Sequence, residues 1–318
     1  MTDSFSLRNK KIWVAGHNGL VGSALVRRLC AENCAILTVD KSTLDLRRQE
    51  AVEKWMGSNR PDAIILAAAK VGGIQANKDF PADFLHDNLT IQSNVIQAAH
   101  RCSVEKLLFL GSSCIYPREA AQPITEDALL TAPLEPTNEA YAVAKIAGIK
   151  MCQSYRAQYG SRFIAAMPCN LYGPGDRYDA LQSHVIPALI MKIDAAKARG
   201  ENVITLWGTG TPRREFLHVD DAADGLVFLL RHYEGAAPVN MGAGDDITIA
   251  ELAAEIAAVV GYQGSFAFDA TRPDGVMRKL MDSTKIYGMG WRPGIELRAG
   301  LRDTYEDYKK RRTAPRAA

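Results

Sequence analysis

A glycine-rich turn near the N-terminus constrains the fold of this chain more than any other stretch. The short apolar run Lys11–Ala15 leads into Gly16-His-Asn-Gly19-Leu-Val-Gly22, and Leu20–Leu29 carries apolar residues at helical spacing. Glycines there permit a tight turn, close approach of backbone to a pyrophosphate, and close helix packing. The helix N-terminus adds amide donors and positive dipole. Asp40 closes a second apolar run over 35–39, eighteen residues beyond Gly22. A carboxylate at that point can accept hydrogen bonds from an adenosine ribose and repels a ribose phosphate, which favours NAD(H). Lys41 follows at once and can pair with a 2′-phosphate, so NADP(H) stays open.

The first half continues the same rhythm. Helical spacing over 47–56, 80–100 and 141–159 alternates with apolar runs at 63–67, Lys106–Leu110 and 162–167. Near-continuous apolar strands between amphipathic helices predict an α/β chain with a doubly wound, Rossmann-type parallel sheet covered on both faces. After about Gly173 the rhythm breaks, with proline and glycine clustered at 173–175, 208–212 and 293–294. Residues 186–199 and Ile249–Val260 read as helices and Val203–Trp207 as a strand. The expected division is a dinucleotide-binding domain over 1–174 and a smaller, interleaved C-terminal substrate lobe over 175–318, with about 215–230 returning to the first domain. The basic tail 309–312 reads as a solvated, frayed end.

Composition narrows the partners. The 318 residues carry 38 basic against 36 acidic side chains, a net charge of +2, which argues against a general nucleic-acid or membrane surface. No apolar signal-type stretch precedes the first strand, and the longest apolar run, around 63–69, is too short to span a bilayer. Six cysteines, at 30, 34, 102, 114, 152 and 169, form no C-x-x-C pair and no zinc spacing, so no metal is expected. Buried reduced thiols in a cytoplasmic protein are the expectation.

Three stretches bear the chemistry: Gly111-Ser-Ser-Cys114, Tyr141-x-x-x-Lys145 and Ser183-His184. Tyr141 and Lys145, four apart, share one helix face. An ammonium beside a phenol favours the phenolate and makes the tyrosine a better proton donor near neutral pH. Ser112, at a strand end, offers a hydroxyl to a substrate carbonyl. Cys114 and His184 add a thiol and an imidazole able to move protons.

The glycine turn, the serine and the Tyr/Lys pair resemble the extended short-chain dehydrogenase/reductases that act on nucleotide sugars. Within them the pattern is similar to the 3,5-epimerase/4-reductases of GDP-4-keto-6-deoxymannose. The resemblance rests on Leu66-Ala-Ala-Ala-Lys-Val-Gly-Gly-Ile74, Phe109-Leu-Gly-Ser-Ser-Cys-Ile-Tyr-Pro117 and Glu135-Pro-Thr-Asn-Glu-Ala-Tyr-Ala-Val-Ala-Lys145. It continues through Asn170-Leu-Tyr-Gly-Pro174, Ser183-His-Val-Ile-Pro187 and Trp207-Gly-Thr-Gly-Thr-Pro-Arg-Arg-Glu-Phe-Leu-His-Val219, covering roughly residues 12–295.

The resemblance implies inversion at C3 and C5 of GDP-4-keto-6-deoxy-D-mannose, with Cys114 as base and His184 as acid. Reduction at C4 follows, with hydride from the nicotinamide and a proton from Tyr141, giving GDP-L-fucose. It implies cofactor contacts at Leu20, Val21, Leu110, Lys145, Pro168, Asn170, Leu171 and His184, and GDP contacts at Lys192, Trp207, Arg214 and Asp274. NADP(H) and a homodimer are further implications. One departure stands out: the family often carries arginines in the glycine turn and after the second strand, where this chain has His17-Asn18 and Asp40-Lys41. Better use of NADH than is usual for the family is therefore expected. The rival readings are a C5-epimerase/C4-reductase of GDP-colitose type, another nucleotide-sugar 4-epimerase or 4,6-dehydratase, and a non-enzymatic nucleotide sensor. The dehydratases usually place an Asp-Glu pair where this chain has Cys114-Ile115, and the sensors typically lose the Tyr or Lys.

Overall fold

The computed structural model describes residues 5–179, 183–272 and 274–313. Its first half runs β1 (Lys11–Ala15), α1 (Leu20–Leu29), β2 (Ala35–Leu37), α2 (Gln49–Asn59), β3 (Ala63–Leu66), α3 (Ile74–Asp79), α4 (Pro81–Arg101), β4 (Lys106–Leu110), α5 (Glu139–Tyr159), β5 (Arg162–Pro168) and β6 (Asn170–Tyr172). The second runs α6 (Val185–Arg199), β7 (Val203–Trp207), β8 (Arg213–Arg214), β9 (Phe216–His218), α7 (Val219–His232), β10 (Val239–Met241), β11 (Ile247–Thr248) and α8 (Ile249–Val260). It ends with β12 (Ser265–Asp269), β13 (Arg278–Lys279), α9 (Thr284–Gly288) and α10 (Leu297–Thr313).

Six strands form one parallel sheet in the order β10-β5-β4-β3-β1-β2. Every residue of β3 and β4 is buried, because helices cover both faces and leave no polar side for the strand to show. The chain moves outward from β1 to β2 and then returns past β1 to β3. That reversal opens a crevice at the carboxyl ends of β1 and β3, where ligands of such sheets bind. The glycine turn, Gly111 after β4 and Pro168 at the end of β5 all lie on this edge.

A second, smaller core joins Ile186, Ile190 and Ile193 of α6 to Leu252, Ile256 and Val260 of α8 and to Leu301 and Tyr305 of α10. Helix α8 begins with a capping box between Thr248 and Glu251. Chain from the second half rejoins the first from α7 onward and continues to do so beyond residue 230. Helix α7 packs on α1, β10 forms the sheet edge beside β5, and Met281, Ile286 and Trp291 enter the larger core. A three-residue Val-Asn-Met strand has too little pattern to be read in isolation; its pairing with β5 creates it.

The C-terminus departs from expectation. Instead of fraying, 309–312 are helical and docked: Arg312 pairs with Asp194, which also accepts the Tyr305 hydroxyl at 2.8 Å, and Lys309 lies 5.0 Å from the Tyr305 ring centroid. Aromatic and acidic partners on α6 and within α10 hold Lys309 and Arg312, while residues 310–312 stay exposed to solvent as expected. Among the cysteines, Cys152 and Cys169 are buried, whereas Cys30 is exposed and Cys34, Cys102 and Cys114 are part-buried. No described helix is long and apolar enough to cross a membrane.

Candidate active site

The glycine turn is built to receive an anion. Gly16 has φ +93°, and a Cβ there would sit 2.6 Å from the backbone nitrogen of Ala68, just past the end of β3. A Cβ on Gly22 would lie 2.0 Å from the Gly16 carbonyl oxygen. Both positions bring backbone so close that only glycine fits. Gly19 caps α1 without a side-chain hydrogen bond, which leaves the first amides of that helix, at Leu20, Val21 and Gly22, without a side-chain acceptor. A dinucleotide pyrophosphate fits this cradle.

Asp40 and Lys41 lie in the turn after β2. Asp40 Oδ1 accepts from Asn18 Nδ2 at 2.6 Å and lies 3.5 Å from His17 Nε2, so the carboxylate is tied to the glycine turn itself. The remaining residues expected to meet the cofactor share the sheet edge. Leu110 and Pro168 end β4 and β5, and Asn170 and Leu171 begin β6, which pairs with β9. Asn170 Nδ2 donates to the Glu215 carbonyl at 2.8 Å.

At the end of β4 the chain makes a short 3₁₀ turn over Ser113–Ile115, with Ser112 as its cap accepting from the Cys114 amide at 3.3 Å. This turn presents Ser112 and Cys114 to α5. Ser112 lies near enough to the Tyr141 hydroxyl to stabilise its phenolate, and Cys114 lies within electrostatic reach of both Tyr141 and Arg214. Lys145 is only 3% exposed, donates to the Leu110 carbonyl at 2.7 Å, and lies 4.8 Å from the Phe109 ring centroid and 5.8 Å from that of Tyr141. Tyr141, Ser112, Cys114 and Lys145 thus form one cluster.

The electrostatics of the pair differ from the expectation. Burial raises the Tyr141 phenol above its ordinary pKa, Cys114 adds to the rise, and the Ser112 hydroxyl opposes it. Burial also pushes the Lys145 ammonium down to about 7. Burial alone accounts for the fall of the lysine, and the lysine does not lower the phenol here. Unfolded lysine titrates near 10.4, so below about pH 7 both states are protonated and the burial penalty acts in full. Stability should rise as pH climbs from about 7 towards 10, because the unfolded chain then holds the extra proton. Thermal melts without cofactor should show wild type gaining on Lys145→Met across that window; a constant gap would contradict a desolvated ammonium.

His184 caps the N-terminus of α6 with extended backbone, and Ser183 fastens the preceding loop by donating to the Arg177 carbonyl and accepting from the Asp179 amide, both at 2.7 Å. His184 is exposed as a residue, yet the protein around the imidazole lowers its pKa by desolvation. No described residue hydrogen-bonds the ring, so no contact ties it to Cys114.

The four expected substrate contacts form a chain of neighbours. Lys192 donates to the Thr205 carbonyl on β7 at 2.5 Å, and Trp207, 70% exposed, ends that strand. The loop beyond is clamped by Asp274, whose Oδ1 accepts the Thr209 amide at 3.0 Å and whose Oδ2 accepts the Thr209 hydroxyl at 2.7 Å. Arg214 on β8 has its pKa lowered by burial and faces Cys114, Asp274 and Glu135. It is the link between this lobe and the Tyr141 cluster.

Three residues escaped the sequence reading. Glu135, just before α5, faces Arg214, and the Arg272 guanidinium lies 5.1 Å from the Trp207 ring centroid. Glu215 is wholly buried; it accepts the Gly244 and Met281 amides at 2.9 and 3.0 Å, and burial pushes its carboxyl up to about 7. Its place beside the apolar Phe216–His218 strand was the available signal for a buried acid.

A doubly wound sheet with a glycine cradle at its switch point defines the class. Residues 12–243 match the NAD dependent epimerase/dehydratase family, and the chain belongs to it. It is 55% identical to the GDP-L-fucose synthase of Sinorhizobium fredii over 304 residues, 96% of this chain and 97% of that relative. It is 37% identical to the GDP-L-colitose synthase of Yersinia pseudotuberculosis over 94% of this chain and 97% of that one. Among solved structures, the GDP-L-fucose synthetase of Naegleria fowleri bound to NADP superposes with a TM-score of 0.90 at 25% identity, covering 99% of each chain.

Proposed function

We propose that this chain converts GDP-4-keto-6-deoxy-D-mannose to GDP-L-fucose, inverting C3 and C5 before reducing C4. The observation that carries the reading is that Ser112 and Cys114, on the turn after β4, lie within electrostatic reach of Tyr141 and, for Cys114, of Arg214 as well. A bound nicotinamide supplies the hydride. The C4 ketone acidifies the neighbouring C–H bonds, Cys114 takes the proton from one face, and His184 in its charged form returns one to the other. Desolvation makes the imidazolium a stronger acid, which suits delivery to an enolate carbon. Ser112 orients the C4 oxygen, and Tyr141 gives that oxygen its proton as hydride arrives. Lys145 holds the cofactor ribose, for which its bond to the Leu110 carbonyl must be shared or exchanged. Arg214 and Lys192 bind the diphosphate and Trp207 covers an apolar face of the nucleotide.

The same reading makes the half built on β1–β5 and β10 the cofactor domain and the α6–α8–α10 lobe the GDP-sugar domain. It includes a cytoplasmic homodimer joined through α5, where Val143 and Tyr159 are exposed apolar groups. The test is incubation with the keto-sugar in deuterated buffer without reduced cofactor. Deuterium should enter at C3 and C5, and Cys114→Ser should slow that entry by about a hundredfold or more. Entry at C5 alone would favour the colitose-type reaction, and unchanged exchange in the variant would remove Cys114 from the mechanism.

A further inference from the structure

We propose that Asn18 and Asp40 act together as the cofactor selector, holding a free adenosine 2′-hydroxyl and turning away a 2′-phosphate, so that this chain prefers NADH to NADPH. The inference rests on the glycine turn being the pyrophosphate site. Asp40 stands at the end of the second strand of the sheet, the position from which a carboxylate reaches the adenosine ribose. Its backbone is pinned, with the Asp40 carbonyl accepting the amides of Thr43 and Leu44 at 3.0 and 2.9 Å. Its side chain is aimed by the glycine turn, since Asn18 Nδ2 holds Oδ1 at 2.6 Å with His17 Nε2 behind at 3.5 Å. Among the described residues Oδ2 has no protein donor, and the side chain is 62% exposed. A carboxylate fixed by one oxygen and open at the other is arranged to accept a hydroxyl.

A 2′-phosphate brings nearly two negative charges and no donor to that same oxygen. Compensation would require a free cation, and several on neighbouring elements are engaged. Arg47 is held by Asp45 at 2.7 Å and by Asp87 at 3.3 Å, and Lys70 by Asp83 at 2.7 Å. On α1, Arg27 meets Asp220 at 2.5 Å and Arg28 meets Asp224 at 2.6 Å. Lys41 and Arg48 are without an ion-pair partner among the described residues, and the carboxylate of Asp45 lies within electrostatic reach of Lys41. Asn18 is the positioning residue in this arrangement, and Asp40 makes the contact.

Equilibrium titration by nicotinamide fluorescence, on the intact protein without sugar substrate, tests this. NADH should bind at least about tenfold more tightly than NADPH, the range expected for a charge-assisted hydrogen bond gained against a repulsion. Asp40→Ser should erase or invert that ratio. Asn18→Ala should shrink it severalfold, whereas general damage to the turn would weaken both cofactors alike and leave the ratio unchanged. NADPH binding as tightly as NADH, or a ratio indifferent to Asp40→Ser, would overturn the selector while leaving the dinucleotide site standing. Binding of neither cofactor would overturn the site as well.

Discussion

Tyr141→Phe should lower the rate of C4 reduction by about 10²–10⁴-fold while deuterium exchange at C3 and C5 continues at a measurable rate. The range is that of a positioned general acid, and the phenol lies beside Ser112, Cys114 and Lys145. Removing its hydroxyl leaves the ring, and with it the packing against Phe84 at a centroid distance of 6.3 Å. The thiol and the imidazole proposed to move protons on carbon are untouched. Single-turnover reduction and NMR of the exchanged sugar separate the two activities. Equal loss of both would mean that Tyr141 serves the epimerisation too.

Gly22→Ala should be nearly as damaging, through geometry instead of proton transfer. The added methyl would meet the carbonyl oxygen of Gly16 at 2.0 Å and the Cα of His17 at 2.7 Å, both backbone atoms of the turn that receives the pyrophosphate. Neither can swing aside as a side chain would, so the turn must open. Overpacking of this kind costs about 1–3 kcal/mol, equivalent to roughly tenfold to a hundredfold in cofactor affinity. Calorimetric titration would read that loss. A variant that binds the dinucleotide as wild type does would show that the turn relaxes without cost.

Much of the site could be read from the chain because its elements are local. The glycine turn sits between its own strand and helix, and Tyr141 and Lys145 share a face because four residues make about one helical turn. The 3₁₀ turn that presents Ser112 and Cys114 follows directly from β4. Local periodicity and steric need determine such features, and they survive whatever the rest of the chain does.

What the sequence could not decide depended on neighbours distant along the chain. Whether the lysine lowers the phenol's pKa depended on how deeply both groups are buried, and desolvation dominates both shifts. The basic tail became a docked helix because Asp194, more than a hundred residues earlier, waits for Arg312. Arg214 became a bridge because β8 carries it to Cys114, Glu135 and Asp274. Thus the chain by itself determined the glycine turn, the parallel sheet and the shared helix face of Tyr141 and Lys145, all set by short-range geometry. Only the tertiary structure decided the ionisation of that pair, its contacts and the hold of Asn18 on Asp40, because desolvation and pairing depend on what folding brings alongside.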